Sequence, residues 1–236
     1  MRGLARSAWG VSLSVISPFT MMQTNVRIQF ANRRAPPMRK PPQQQRSQFL
    51  VKNLIEATAR VFDRRGLHLT TRDVAEEAGV SVGSLYQYFK NKDELLAALV
   101  SQMSTDVALV VTRNLPQRLA LDYPTFYKTC LTEIVALVSE NLGYRAVARH
   151  WHELRTAQAV QAAEQQLMEV ARQYMLHHHD EYRPRDLQVS VFIAYNSTVY
   201  TVMQYLSLPH PPFGIDRLVE ELTEMMSAYM ARSGAP

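Results

Sequence analysis

Apolar residues recur at steps of three and four along most of the chain from Ser47 onward, a period typical of amphipathic helices. The first such face runs from Val51 to Phe62, and Gly66 stands where a helix of this kind would end. No stretch shows the strict apolar–polar alternation that indicates a half-buried strand. The sequence therefore predicts an all-α fold of about nine helices.

Two short helical patterns follow, joined by a turn that contains Gly79. The first covers TTRDVAEEAG and has Asp73 in its first turn; the second begins after Ser81 and reads VGSLYQYF. Two short helices joined by a Gly-containing turn are the helix-turn-helix pattern. Asn91 and Glu94 have the spacing of a capping box and predict the start of a fourth helix.

The second short helix is the candidate recognition helix. Leu85 and Phe89, four residues apart, are expected to face inward. The residues expected to face outward are Val82, Ser84, Tyr86, Gln87 and Tyr88. Aromatic rings beside lysines suit DNA, because a tyrosine hydroxyl can reach a phosphate while its ring packs on a sugar or a thymine methyl. The alternative is a small amphipathic helix of a bundle, in which Tyr86 and Tyr88 are half-buried filler.

Proline and glycine residues divide the rest of the chain. The fourth helix is expected to run from Lys92 to Leu115 and to stop at Pro116. The next is expected from Tyr123, with Gly143 past its end. Further helices are predicted over residues 144–155, 157–178, 185–206 and 215–230. Together these give a C-terminal bundle of about six helices.

Positive charge is concentrated at the start of the chain. The net charge is +5, and residues 1–48 hold eight Lys or Arg and no acidic residue. The stretch RAPPMRKPPQQQR is too polar for a core, so residues 1–46 are expected to be a disordered basic extension. A basic arm that follows DNA phosphates is the alternative. The single cysteine, Cys130, excludes an intrachain disulfide, is expected in the core, and fits an intracellular protein.

Residues 50–100 resemble the DNA-binding domain of the TetR family of transcriptional regulators. The resemblance rests on TTRDVAEEAGVS and on the string Leu-Tyr-x-Tyr-Phe-x-x-Lys-x-x-Leu that begins at Leu85. It implies a helix-turn-helix domain over residues 47–95 and a helical domain over residues 96–236 that binds a small effector and forms a homodimer. The DNA-facing positions that it implies are Thr71, Arg72, Val82, Gly83, Ser84, Tyr86, Tyr88 and Lys92, with Gln87 as a further candidate for base reading.

Large or polar-tipped residues on the middle helices are candidates for effector contacts, although an ordinary helical core contains the same residue types. These candidates are Phe126, Tyr127, His150, Trp151, Met168, Tyr174, Tyr195, Asn196 and Met203. Apolar stripes on the last two long helices predict a dimer interface built as an intermolecular four-helix bundle. Its candidates are Val189, Phe192, Val199, Leu218, Leu222, Met225 and Met226.

The chain lacks a Gly-rich phosphate loop, a nucleophile elbow and a His-Glu-x-x-His motif, so we do not expect an enzyme. Adjacent histidines in HHHDE point in different directions on a helix, so neither a metal nor a cofactor is expected. The predicted function is a cytoplasmic, non-membrane homodimeric repressor that an apolar or aromatic effector releases from a palindromic DNA operator. Alternatives are a helical small-molecule-binding protein or enzyme with a vestigial helix-turn-helix, and a non-specific DNA-coating protein.

Overall fold

The computed structural model describes residues 45–154, 157–182 and 186–231 of the 236-residue chain. These residues form helices and connecting turns and contain no strand, which confirms the predicted all-α class. The helices are α1 (Gln45–Arg65), α2 (Thr71–Glu77), α3 (Val82–Tyr86), α4 (Lys92–Thr112), α5 (Leu115–Leu119), α6 (Tyr123–Glu140), α7 (Leu142–Arg149), α8 (Ala157–His177), α9 (Leu187–Ser207) and α10 (Ile215–Met230). The expectation of a disordered extension falls almost wholly on residues outside the described ranges, and its last two positions lie in α1.

The described residues contain ten α-helices, one more than the sequence predicts for the chain. The additional helix is α5, because α4 ends at Thr112 and Pro116 lies in the first turn of a new helix. Asn114 has a left-handed backbone with φ 55° and separates the two helices. The proline therefore begins a helix here, where its missing N–H is tolerated, instead of ending one.

Gly143 lies past the end of α6, as predicted, but it already belongs to the first turn of α7. α6 ends at Glu140. The side-chain oxygen of Asn141 then accepts hydrogen bonds from the N–H groups of Gly143 and Tyr144, at 3.0 and 3.2 Å. α7 ends at Arg149 and does not continue to residue 155.

Side-chain caps fix the starts of α2, α3 and α4. Thr70 and Asp73 form a reciprocal capping box at the start of α2. Ser81 and Asn91 each accept a hydrogen bond from the N–H three residues further on, at 3.0 and 2.9 Å, and cap α3 and α4. Gly79 turns the chain between α2 and α3 with φ +67°, which side-chain-bearing residues rarely adopt.

One apolar core joins α1, α2 and α3 to the helices that follow. It contains Leu54, Phe62, Val74, Leu85, Phe89, Leu99, Val100, Ala146 and Val147. Two further clusters lie among α6, α8, α9 and α10, and the buried Cys130 belongs to one of them, as predicted. The predicted domain boundary between residues 95 and 96 falls inside α4 and stays a prediction.

α1 and α7 cross at a very short distance where Gly143 meets Ala59. An ideal Cβ built on Gly143 would lie 2.4 Å from the Cβ of Ala59, so a side chain at this position would push the two helices apart. Arg149 of α7 also donates a hydrogen bond to the carboxylate of Asp63 of α1 at 2.5 Å. α7 therefore supports the helix-turn-helix segment, defined here as α1 to α3, through its contacts with α1.

α4 passes a length-and-composition test for a membrane-spanning helix, with a mean hydropathy of 1.6 over its most apolar window. Half of that window is buried inside the protein. A buried core helix meets the same test, and α4 packs in the core that it shares with α1 and α7.

Candidate DNA interface and candidate ligand cavity

The inner face of α3 is locked against α1 and α2. Leu85 and Phe89 are 0% and 1% exposed, as their spacing predicts. Asn53 of α1 donates a hydrogen bond to the carbonyl of Ala78 at 2.9 Å and ties the turn before α3 to α1. The orientation of α3 is thus fixed by its neighbours.

The opposite face of α3 is open. Its exposed residues are Val82, Gly83, Tyr86 and Gln87. The nearest atom to an ideal Cβ on Gly83 is the Ser81 Oγ, at 3.8 Å, so the backbone can be approached closely from outside. The Tyr86 hydroxyl lies 3.1 Å from the Oγ1 of Thr71 at the start of α2. The face therefore combines an accessible backbone with hydroxyl groups.

Three other predicted DNA-facing residues flank this face. Arg72, in the first turn of α2, is exposed, and Ser84 is half-buried with its Oγ 2.8 Å from the Ser81 Oγ. The Nζ of the exposed Lys92 donates a hydrogen bond to the carbonyl of Leu67 at 2.8 Å. Lys92 therefore joins the turn after α1 to the start of α4.

Tyr88 does not lie on the exposed face, and the prediction that it faces outward is wrong. It is 7% exposed and packs in the core beside Phe89. α3 ends at Tyr86 and the chain leaves the helix at Gln87, so a helical projection no longer describes the next residue. Tyr88 fills the core, as the alternative interpretation has it, whereas Tyr86 is 37% exposed.

Ion pairs that the sequence interpretation did not identify hold α1 to α2. Glu77 accepts hydrogen bonds from Arg60 at 2.6 Å and from Arg64 at 2.5 Å, and these bonds lower the pKa of the Glu77 carboxyl. Arg65 pairs with Asp73 at 2.9 Å. The capping threonine and then this arginine hold the pKa of the Asp73 carboxyl below its usual value. These arginines connect helices of the domain to one another.

A cavity of about 340 Å³ lies between α4, α6, α8 and α9. Its wall is mostly aliphatic and aromatic, and its volume is at the lower end of the range of ligand sites in proteins. Seven of the nine residues predicted to contact an effector line it: Phe126, Tyr127, Trp151, Tyr174, Tyr195, Asn196 and Met203. Contact with a ligand stays a prediction for each of them.

His150 and Met168 lie outside the cavity wall, so their predicted placement is wrong. α7 ends just before His150, and the imidazole ring packs on Phe62 of α1 with the ring centroids 5.3 Å apart. The ring also closes against Gly66, where an ideal Cβ would lie 2.9 Å from the His150 Nε2. Met168 is half-buried on α8 beside a residue that does line the wall, Leu167.

Few polar groups reach the cavity. The Tyr127 hydroxyl lies 2.6 Å from the Thr198 Oγ1, and burial raises the pKa of Tyr127 to about 12. Burial, with the charge of Glu164, raises the pKa of Tyr195 to about 12. Glu164 itself belongs to the wall and was missed, because a single glutamate on a helix is usually solvated. The signal that could have found it is its place in the apolar stripe of α8, Val160, Ala163, Leu167 and Ala171.

The predicted dimer residues separate into two groups. Val189, Phe192 and Met225 are exposed at 50%, 56% and 50%, together with Ile193 and Tyr200 of the same stripe. The other predicted residues do not face outward: Leu218, Leu222 and Met226 are buried within the chain and Val199 lines the cavity. The prediction that Leu218, Leu222 and Met226 meet a partner is therefore wrong, because α10 turns its apolar stripe toward α6 and α9. A partner contact of the half-buried Val199 stays a prediction.

The histidine run at the end of α8 has structural contacts. The Nε2 of His178 lies 2.7 Å from the carbonyl of Leu119, and its ring stacks on Tyr174 with centroids 4.5 Å apart. Within the described ranges, no group of three or more His, Cys, Asp or Glu is placed to hold a metal ion.

α2, the turn at Gly79 and the presented helix α3 define a helix-turn-helix DNA-binding fold. Residues 54–99 match the family described as bacterial regulatory proteins, tetR family. These residues are a DNA-binding domain of the TetR family.

Curated relatives match short stretches of this chain. The transcriptional regulator TtgR of Pseudomonas putida is 47% identical over 51 residues, which are 21% of this chain and 24% of TtgR. The regulator PksA of Bacillus subtilis is 46% identical over 59 residues, 23% of this chain and 29% of PksA. The chain thus spans about a quarter of the length of the curated relatives that it matches.

The likeness of fold extends further. The crystal structure of FadR from Bacillus subtilis in complex with stearoyl-CoA is 16% identical, with a TM-score of 0.60 over 74% of this chain and 96% of that protein. This likeness shows that the helices beyond the DNA-binding domain follow the same fold as the FadR structure.

Proposed function

We propose that the protein is a homodimeric transcriptional repressor that binds a palindromic DNA operator and releases it when a small molecule enters the cavity. The observation that carries this proposal is the exposed face of α3. The opposite face of the helix is held in the core by the buried Leu85 and by Phe89 just after the helix. The matched relatives are regulators of transcription, and one of the named functions among them is that of a repressor. We propose a cytoplasmic location and no catalytic activity.

The exposed face supplies the groups that DNA recognition needs. Arg72 and Gln87 are exposed side chains able to donate hydrogen bonds to base edges or phosphates. Gly83 permits the helix backbone to approach the major groove, and Val82 offers an apolar contact to a thymine methyl. We propose that Thr71, Ser84, Tyr86 and Lys92, which are exposed or half-buried, contact phosphates and orient the domain on the DNA. Tyr88 is buried and is not part of the proposed DNA contact.

Two connections support communication between the cavity and the helix-turn-helix segment. α4 begins at Lys92, which is bonded to the turn after α1, and its middle residues Met103 and Ser104 line the cavity. The neighbouring residues His150 and Trp151 connect α1 with the cavity, because His150 packs on Phe62 of α1 and Trp151 lines the cavity. We propose that a ligand shifts α4 and the end of α7, and with them α3. In this proposal, residues 47–95 bind DNA, and residues 96–236 bind the ligand and form the dimer.

We propose that the cavity ligand is apolar over most of its length. The FadR structure contains stearoyl-CoA, which shows that a related fold accommodates an acyl chain. In this chain, Phe126, Tyr127, Trp151, Tyr174, Tyr195 and Met203 provide aromatic and thioether surface in the wall, and such side chains suit apolar ligands.

The dimer is proposed to form through the exposed stripe of α9 and the exposed Met225 of α10. Val189, Phe192, Ile193 and Tyr200 are each at least 41% exposed, and large apolar side chains grouped on one face indicate an interaction surface. A two-fold axis through this stripe would pair two copies of α3, and recognition helices one DNA turn apart are spaced about 34–36 Å.

Replacing Phe192 with glutamate is expected to convert the dimer into a monomer, because two copies of the charge would be buried against each other near the axis. Light scattering after gel filtration measures the mass of the variant and of the wild type at one concentration. Phe49→Glu is the control, since Phe49 is 74% exposed and lies on α1, away from α9. A wild-type monomer, or a dimer that survives Phe192→Glu, would contradict the proposed interface.

The proposed function is tested by selecting duplexes from a random pool with the full-length protein at physiological salt. The expected result is an enriched inverted repeat, because each protomer of a two-fold dimer reads one half-site. A pool that remains random after repeated rounds would contradict sequence-specific recognition. It would favour either a non-specific DNA-coating protein or a helical ligand-binding protein whose helix-turn-helix no longer reads DNA.

A further inference from the structure

The cavity wall has one carboxylate and no basic side chain among the residues that the structure describes. Glu164 of α8 is that carboxylate, and no Lys, Arg or His contributes to the wall. A ligand with an anionic head would be placed beside a negative charge with no cation to balance it. A cationic head would pair with the half-buried Glu164 and balance its charge. The charge of the wall therefore favours a positively charged ligand over a negatively charged one.

Six aromatic rings among the described residues contribute to the wall beside its aliphatic side chains. Phe126 stacks on Tyr174 with centroids 4.3 Å apart, and Tyr123 stacks on Tyr127 at 5.8 Å. Tyr195 and Trp151 add further rings to the wall. The face of an aromatic ring attracts a cation, and the attraction is stronger where water is excluded. Burial raises the pKa of the Tyr123, Tyr127, Tyr174 and Tyr195 hydroxyls, so these groups stay neutral at physiological pH and add no negative charge.

We propose that the cavity binds an amphipathic organic monocation, a compact aromatic body with one ammonium group, and that Glu164 is its counter-ion. A volume of about 340 Å³ restricts the ligand to a small molecule of this kind. The inference rests on the proposed function only in identifying this ligand with the effector. Its binding is measurable in the absence of DNA.

Probes with a shared phenyl-alkyl body and different head groups test the sign of the preferred charge. They are 4-phenylbutyltrimethylammonium, 4-phenylbutanol and 5-phenylpentanoate. Binding is followed by the fluorescence of Trp151, which lines the cavity, in full-length protein with Trp9→Phe so that Trp151 is the single tryptophan. The cation is expected to bind about ten times more tightly than the alcohol, and the carboxylate more weakly than either.

Glu164→Gln is expected to weaken binding of the cation about tenfold and to leave binding of the alcohol unchanged, because the amide keeps the shape of the side chain and removes its charge. Glu169→Gln is the matched control: it lies on the same helix, outside the wall, with its carboxylate paired to Arg172. It should bind all three probes as the wild type does.

Two results would overturn the assignment. One is equal affinity for the cation in the wild type and in Glu164→Gln, and the other is no binding of the cation at saturating concentration. The same preparations are titrated with the enriched DNA of the selection. A protein that binds this DNA but not the cation would contradict the ligand assignment and leave the proposed DNA recognition standing. A protein that binds the cation but not this DNA would contradict only the proposed DNA recognition.

Discussion

Replacing Gly83 with glutamate is expected to lower the affinity for the selected DNA by at least about 100-fold while the fold stays intact. Gly83 lies on the exposed face of α3, and the nearest atom to its ideal Cβ is 3.8 Å away, so a side chain there meets open space. In a complex with DNA, the new carboxylate would lie against the phosphates and base edges, where like charges repel strongly. Fluorescence anisotropy measures the affinity, and the melting temperature checks the fold.

Two further variants separate charge from shape. Gln117→Glu makes the same change of charge at an exposed position of α5 and should leave DNA affinity nearly unchanged. Gly83→Ala adds a methyl group without charge and tests how closely the backbone of α3 approaches the groove. If Gly83→Glu bound the selected DNA as tightly as the wild type, α3 would not be the recognition helix.

Replacing Gly143 with valine is expected to lower the free energy of unfolding by about 3 kcal/mol, at the upper end of typical overpacking costs. The new Cβ would lie 2.4 Å from the Cβ of Ala59 and 3.1 Å from its Cα, so a backbone has to move. Because α1 belongs to the helix-turn-helix segment, the same displacement should disturb the position of α3. Urea denaturation measures the loss, and DNA titration of the folded variant measures the displacement.

A second substitution that restores stability would show that the loss comes from this contact and not from a general intolerance of valine at position 143. Ala59→Gly in the Gly143→Val background removes the atom that the new side chain strikes first and should restore part of the lost stability. Gly214→Val is the control, since nothing lies within 4 Å of its ideal Cβ. A Gly143→Val protein as stable as the wild type would show that α1 and α7 do not cross at the distance described.

The parts of the fold that follow from local chemistry were predictable. Asn91 caps α4 as its spacing from Glu94 indicates, and α3 begins after Ser81 as predicted. The inward direction of Leu85 and Phe89 follows from their four-residue separation. Tyr88 was placed wrongly because helical projection continues only as long as the helix does. Its burial depends on the chain leaving α3 at Gln87, which periodicity does not reveal.

The apolar stripes predicted which residues are buried, but not whether a helix of the same chain or a second protomer covers them. The stripe of α10 was assigned to a second protomer, yet Leu218 and Leu222 pack within the chain. The cavity depends on four helices that are distant in sequence, so the seven wall residues that were predicted were found through residue type alone and the rest of the wall was missed. Glu164 was missed because a carboxylate usually indicates a solvated face, and its apolar surroundings arise only when α8 meets α4 and α9.

The most direct test of DNA recognition is an anisotropy titration of the full-length protein with the enriched duplexes and with the random starting pool, at two salt concentrations. A sequence-specific regulator is expected to bind the enriched DNA at least about 1,000-fold more tightly at physiological salt. Equal affinity for both pools, falling steeply and identically with salt, would contradict the account. It would show that the protein binds phosphates alone, without reading bases through α3.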